Sequence, residues 1–236
     1  MTGMAERTGY LPGLNNEIID WHTLAFERDN QVLKLAVPVL NETQLQDLIS
    51  TVQKASRTVL KALTVHEITG IIDAAIARLL DRNDPYRKKA ETLLPVITGY
   101  DDEMIKLGLT DYLKTFRQTD LQKFLAEDFT NPTILDQFQP IPKGGLAKAI
   151  GPDLLLHIWA GNVPGLPLWS LVSGLLVKAG NIGKVPSGEP LFANLFAELL
   201  AEVEPKLSDC FAIIWWQGGD DLHEQILLDR ADVVLA

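Results

Sequence analysis

Residues 154–190 read LLLHIWAGNVPGLPLWSLVSGLLVKAGNIGKVPSGEP, and from Leu154 to Val177 they carry no charged side chain. A run of about 20 apolar residues is long enough to cross a bilayer. Pro164, Gly165 and Pro167, beside Asn162, interrupt this one near its middle, so it does not read as a single spanning helix. It divides instead into a buried strand over 154–159, a tight turn over 160–167 and a helix over 168–179 with Gly180 as its C-cap. A second short strand follows over 181–185, and Pro190 opens the next helix.

The same alternation continues to residue 236. A helix is expected over 191–203, with Leu191, Leu195, Leu199 and Leu200 on one side. Residues 211–216 form an apolar run of strand length, Gly218 and Gly219 a turn, 220–229 a short helix and 232–235 another strand. Strands apolar on both faces, alternating with helices, predict a parallel α/β sheet covered on both sides. Ligands of such sheets bind at the carboxyl ends of the strands.

Three pieces of this stretch resemble a known family: AGNVP at 160–164, AGNIGKVPSGEP at 179–190 and IIWWQGGDD at 213–221. Together they are similar to the aldehyde dehydrogenase superfamily, most closely to its acyl-CoA reductases of the bacterial bioluminescence (LuxC-like) type. The resemblance is clear over 95–236. It implies an aldehyde dehydrogenase-like, Rossmann-type parallel sheet preceded by a helical segment. It also implies reduction of a fatty acyl-CoA or acyl-protein thioester to an aldehyde through an acyl-cysteine. The cysteine of the resembled enzymes lies beyond the last strand seen here, so the chain reads as the N-terminal half of such an enzyme, truncated before the catalytic domain. On that reading the fragment alone is inactive.

Composition narrows the class. The chain has 236 residues, 47% hydrophobic, with a net charge of −10. An acidic surface disfavours nucleic acid and anionic membranes as partners. The one cysteine excludes an intrachain disulfide and fits a reducing compartment. The first residues, MTGMAERTGY, lack the apolar core of a signal peptide, so a cytoplasmic location is expected.

Residues 1–130 read as a mostly helical part of the cofactor-binding domain. A strand is expected near 32–39, and Trp21 and Phe26 pack. Asn41 with Gln44 and Thr64 with Glu67 have the spacing of capping boxes. A third helix starts at Asp84-Pro85 and closes before Pro95, and Thr119 with Gln122 caps another. Arg87, Lys88 and Lys89 read as a solvated helix face. Residues 131–150, punctuated by Pro and Gly, hold strand-like pieces at 134–138 and 146–150. The resemblance makes them a two-stranded oligomerisation arm, implying a homo-oligomer in the full-length protein. Residues 151–236 are the parallel, incomplete cofactor-binding portion.

The resemblance also assigns site residues. Asn162, otherwise a common turn residue, becomes the oxyanion donor; a fixed donor of this kind is often worth about 2.7–4 kcal/mol of barrier. Lys184 hydrogen-bonds the adenosine ribose. Where many NAD-dependent relatives carry a ribose-binding glutamate, this chain has Ser187. Without a carboxylate there, a 2′-phosphate meets less repulsion, which favours NADPH over NADH; Glu189, two residues on, complicates that inference. Gly218 and Gly219 correspond to a loop near the cofactor. Cys210 stands beside Asp209, whose charge raises a thiol pKa, and reads as structural. His157 reads as a core histidine, and no metal-ligand spacing occurs. Two other readings stand: an aldehyde-oxidising dehydrogenase of the same superfamily, and a non-catalytic nucleotide-binding or scaffold domain.

Overall fold

A computed structural model of the protein describes residues 5–161 and 163–236. The N-terminal segment forms a small sheet of β1 (Glu6–Arg7), β2 (Asp20–Arg28) and β3 (Gln31–Val39), in the order β1-β3-β2. Asp29 and Asn30 both have positive φ, 49° and 64°, and close the antiparallel β2–β3 hairpin. A two-residue turn of that hand matches the natural twist of paired strands. Only the second strand of this hairpin is expected from the sequence.

Five helices follow: α1 (Glu42–Thr58), α2 (Val65–Leu80), α3 (Pro85–Thr98), α4 (Asp102–Lys114) and α5 (Gln118–Asp128). Both capping boxes form, Asn41 with Gln44 on α1 and Thr64 with Glu67 on α2. Three local expectations are corrected. Pro95 lies inside α3, which continues because Leu94 and Ile97 are buried, and stops at Gly99 with φ 78°. The first N–H of α5, on Gln118, is capped by Asp73 of α2, a partner distant in sequence, and Thr119 makes no cap. Arg87 is no part of a solvated face: it is fully buried.

Arg87 instead ties three helices together. Its Nε donates to Glu91 at 2.6 Å, and its two terminal nitrogens donate to Leu79 O at 3.1 Å, Lys106 O at 2.9 Å and Thr110 Oγ1 at 2.8 Å. A planar guanidinium can satisfy all these acceptors at once, which an ammonium cannot.

Residues 131–150 hold one 3₁₀ turn, Pro132–Leu135, and a short antiparallel ribbon of β4 (Gln139–Pro140) and β5 (Leu146–Ala147). The expected strands at 134–138 and 146–150 shrink to these two pairs, because the Pro132 turn occupies the first. Phe138, Leu146 and Ile150 are exposed here.

The main sheet is built from β6 (Leu154–Ile158), α6 (Leu166–Leu176), β7 (Gly180–Lys184), α7 (Phe192–Val203), β8 (Phe211–Ile214), α8 (Asp221–Arg230) and β9 (Val233–Leu235). Its order is β8-β7-β6-β9, all parallel. Leu154, Leu156, Ile182, Ala212 and Ile214 pack with Leu45, Leu48, Ile49 and Val52 of α1 and Leu227 of α8. Phe211 and Ile213 join the opposite core with α2, α6 and α7. Burying each such side chain contributes roughly 1.5–3 kcal/mol, which is why both faces must be covered. The outer edge of β8 is closed by Tyr10, which exchanges two backbone hydrogen bonds with Ile213 at 2.9 and 2.8 Å. The expected C-cap of α6 moves: Lys178, not Gly180, takes the left-handed conformation (φ 62°), held by its side chain on Asp136 at 2.6 Å. Gly180 begins β7, where Val52 of α1 leaves no room for a Cβ. Among the described residues no helix is long and apolar enough to cross a membrane.

Replacing Arg87 with Ala strands the Glu91 carboxylate and removes a donor from Leu79 O, Lys106 O and Thr110 Oγ1, so equilibrium unfolding in urea is expected to lose about 3 kcal/mol or more. Lys88→Ala on the exposed side of the same helix is expected to change stability by less than about 0.5 kcal/mol.

Candidate functional site

β6, β7 and β8 are adjacent and parallel, so the segments leaving their carboxyl ends emerge on one side. Those segments carry the residues singled out above: the 160–165 turn after β6, Lys184 and Ser187 at and after β7, and Gly218 and Gly219 after β8. Asn162 lies outside the described residues; its flanking turn is described.

That turn is shaped by packing. Gly165 has φ 86°, and a Cβ on it would stand 2.9 Å from the Tyr112 ring. Trp159 Nε1 donates to Ser170 Oγ at 2.7 Å, tying the end of β6 to the first turns of α6. Val163, Pro164 and Leu166 then form one wall of an apolar groove of about 310 Å³. Met104, Gly108 and Tyr112 of α4 form the other. A larger concavity, about 890 Å³, lies between the β2–β3 turn and α3–α4; charges of both signs line it, from Arg28 and Lys88 to Asp101 and Glu103, and no sequence motif leads there.

The lip after β7 and β8 is built by a tryptophan pair. Lys184 Nζ sits 5.2 Å from the centre of the Trp216 ring, a cation–π contact. Trp215 Nε1 donates to Ser187 Oγ at 3.0 Å. His22 of β2 stacks on Trp215, with centroids 5.0 Å apart and planes 5° from parallel. Gly218 and Gly219 are open to solvent, with φ 81° at Gly219. Its N–H donates to Glu224 Oε1 at 3.4 Å.

Glu189 does not face this lip. It is 2% exposed, and its Oε1 accepts the N–H groups of Leu191 and Phe192 at 2.8 and 2.9 Å, at the start of α7. Burial nevertheless outweighs those two hydrogen bonds and pushes its pKa up to about 7.

Two sequence readings gain a physical cause. Cys210 is fully buried, and burial, with the Asp209 charge second, pushes its thiol up to about 12. His157 is also fully buried; its Nε2 meets Asn181 Oδ1 at 2.8 Å, and burial lowers its pKa. Asn181 donates its amide to Ala179 O, so its oxygen faces the ring and His157 is the Nε2–H tautomer. Among the described residues no group of three or more His, Cys, Asp or Glu side chains could hold a metal.

Sequence reasoning missed Trp215, Trp216, His22 and the α4 wall. The consecutive tryptophans at the end of an apolar strand, just before Gly-Gly, were the available signal. Nothing in the sequence reveals that His22 reaches them.

This architecture is that of the aldehyde dehydrogenases. The aldehyde dehydrogenase KauB from Pseudomonas aeruginosa superposes with a TM-score of 0.74, covering 98% of this chain and 45% of its own, at 14% identity. NADP-dependent glyceraldehyde-3-phosphate dehydrogenase from Bacillus halodurans, solved with NADP, gives 0.73 over 98% and 48%, at 13% identity. Within that fold the chain belongs to the acyl-CoA reductase (LuxC) family, whose model matches residues 60–236. Long-chain acyl-protein thioester reductase from Photorhabdus luminescens is 24% identical over 207 residues, 85% of this chain and 41% of the relative. The Vibrio harveyi protein of the same name is 22% identical over 231 residues, 94% and 46%. The chain thus spans less than half the length of these relatives.

Glu189 generates a pH prediction. Its folded pKa, about 7, lies above the ordinary 4.5, so its contribution to stability is full below about pH 4.5 and is lost as pH rises to about 7. Glu189→Gln is expected to remove that loss, on the order of 3 kcal/mol, so that the variant gains on the wild type between pH 5 and about 8 in urea unfolding.

Proposed function

We propose that this chain is the cofactor-bearing, N-terminal portion of an NADPH-dependent reductase that converts fatty acyl thioesters, acyl-CoA or acyl-protein, to aldehydes. The observation that carries this reading is the pair of donors at the lip: Lys184 and Ser187 face outward, while the carboxylate in their own loop, Glu189, is committed to α7, and Glu224 on the β8 side accepts from Trp216 Nε1 and Gly219 N–H. Such a lip suits a ribose phosphate better than a ribose diol, which seeks an acceptor. NADPH, when bound, supplies the hydride.

The chain's own residues then divide the work. Lys184 and Ser187 hold the adenosine ribose and its phosphate, with Gly218 and Gly219 allowing close approach of backbone. The groove between α4 and the 163–166 turn takes the proximal part of the acyl chain, since its walls offer almost only apolar atoms. Asn162, one residue before Val163 in sequence, donates its amide to the oxygen that gains charge as the thioester carbon becomes tetrahedral. Cys210 is too buried and too weakly acidic to attack, so the acyl-cysteine step falls to a residue outside these 236. The exposed Phe138, Leu146 and Ile150 support a role for the β4–β5 ribbon in docking on a second copy. The single cysteine and acidic composition support a cytoplasmic setting.

Calorimetric titration tests both halves of this reading. NADPH is expected to bind more tightly than NADH, and Lys184→Ala to weaken NADPH by about tenfold, as for a hydrogen bond to a charged group. A Cβ at Gly108 meets nothing within 4 Å, so Gly108→Trp can fill the groove from α4. It is expected to abolish binding of a fluorescent long-chain fatty acid and leave NADPH unaffected. Equal affinity for the two nucleotides, indifference to Lys184→Ala, or unchanged fatty-acid binding contradicts the corresponding assignment.

A further inference from the structure

We infer that Trp215 is a positioning residue for cofactor choice, holding Ser187 as an outward hydrogen-bond donor to the 2′-phosphate. The inference rests on the cofactor reading above and adds a residue to which that reading gives no role.

An indole N–H only donates, whereas a hydroxyl carries one proton and two lone pairs. The 3.0 Å contact from Trp215 Nε1 to Ser187 Oγ therefore consumes a lone pair of Ser187 and leaves its proton free. Ser187 is exposed, so that proton points to whatever approaches the lip. Among the described residues Trp215 is the one hydrogen-bond partner of this hydroxyl. A serine without that contact can turn its proton inward and present lone pairs, which repel a phosphate and welcome a ribose hydroxyl.

The indole is in turn held from two directions. Its ring is 5% exposed and belongs to the core on the α7 side of the sheet. On its other flank His22 stacks in parallel from the β2–β3 hairpin. The neighbouring Trp216 is fixed equally: it stacks on His223 at 6.3 Å, and His223 Nε2 donates to Leu40 O at 2.8 Å. The two tryptophans thus aim one hydroxyl proton and one ammonium at the same lip. Of the two carboxylates nearby, Glu189 is buried beneath α7's first turn, and Glu224 accepts from Trp216 Nε1 at 3.5 Å and Gly219 N–H at 3.4 Å.

Trp215→Phe keeps the ring and the stack but removes the donor. Affinities of NADPH and NADH are measured for the wild type, Trp215→Phe, Ser187→Ala and the double variant. Trp215→Phe is expected to lower the NADPH-to-NADH affinity ratio by about three- to tenfold, the size of one charged hydrogen bond, almost wholly through NADPH. In the Ser187→Ala background it is expected to lower the ratio no further, because the two residues act as one unit. A purely structural role would weaken both nucleotides in parallel, leave the ratio unchanged, and overturn the inference. If Ser187→Ala lowers the ratio and Trp215→Phe does not, the positioning role fails while the cofactor reading stands. If the wild type binds neither nucleotide, or both equally, the cofactor reading and the inference fall together. Should Trp215→Phe not fold, His22→Ala, an exposed change that loosens the same stack, is expected to shift the ratio in the same direction; an unchanged ratio there overturns the inference.

Discussion

α6 lies very close to the β6–β7 pair, and the turn that leaves β6 inherits its geometry from that approach. A Cβ at Gly174 of α6 would stand 1.8 Å from Asn181 Oδ1, and one at Gly183 of β7 would stand 2.0 Å from the Trp159 ring. Two glycines therefore let a helix and an indole lie almost on the sheet backbone. Asn181 fills the space so made, and it is a buried polar group that must be paired. It accepts from His157 on the neighbouring strand and donates to Ala179 at the entrance to its own. With α6 seated at this depth, Trp159 bound to Ser170 fixes the end of β6 against α6, and Gly165 packs on the Tyr112 ring.

A second constraint holds the wall opposite that turn. α4 has no contact with the sheet strands comparable to that of α6; it is held by Arg87, which binds the end of α2 and two groups of α4 from the middle of the helical layer. The apolar groove lies between a turn positioned by the sheet and a helix positioned by a buried guanidinium. The cofactor lip depends on neither. It is set by where β8 releases two tryptophans, one against Ser187 and one beneath Lys184. Site and scaffold are thus coupled through side chains that carry no chemistry themselves.

The parallel sheet was legible because its strands are short apolar runs bounded by Gly and Pro, and every element of 154–236 appears within a few residues of its expected place. Helix starts at Asn41 and Thr64 were legible for a local reason: a capping box is complete within four residues. Two of the misreadings share a cause, which is a distant partner. Arg87 looked solvated beside Lys88 and Lys89, yet its acceptors come from Leu79, Lys106 and Thr110. The start of α5 is capped from α2 by Asp73. The β2–β3 hairpin had a local signal, Asp29-Asn30, weaker than an Asn-Gly turn. At the candidate site, Lys184 and Ser187 could be placed from strand ends alone, whereas the inward turn of Glu189 and the indole on Ser187 required the folded packing. Glu189, which obscured the cofactor inference in the sequence, is the residue whose burial clarifies it.

The central claim is that the lip after β7 and β8 offers Lys184 and Ser187 as donors to a phosphate on the adenosine ribose, with Glu189 turned away and Glu224 occupied by Trp216 Nε1 and Gly219 N–H. Phosphorus NMR of the bound 2′-phosphate, titrated through pH, tests it most directly, because a phosphate monoester free in solution gains its second proton near pH about 6. Contact with the Lys184 ammonium and the Ser187 hydroxyl favours the dianion, so the account predicts that the 2′-phosphate signal of NADPH bound to this chain keeps its dianionic shift well below that pH. A titration unchanged from free NADPH, or one shifted upward, would mean that the phosphate lies in solvent or beside a carboxylate, and would contradict it.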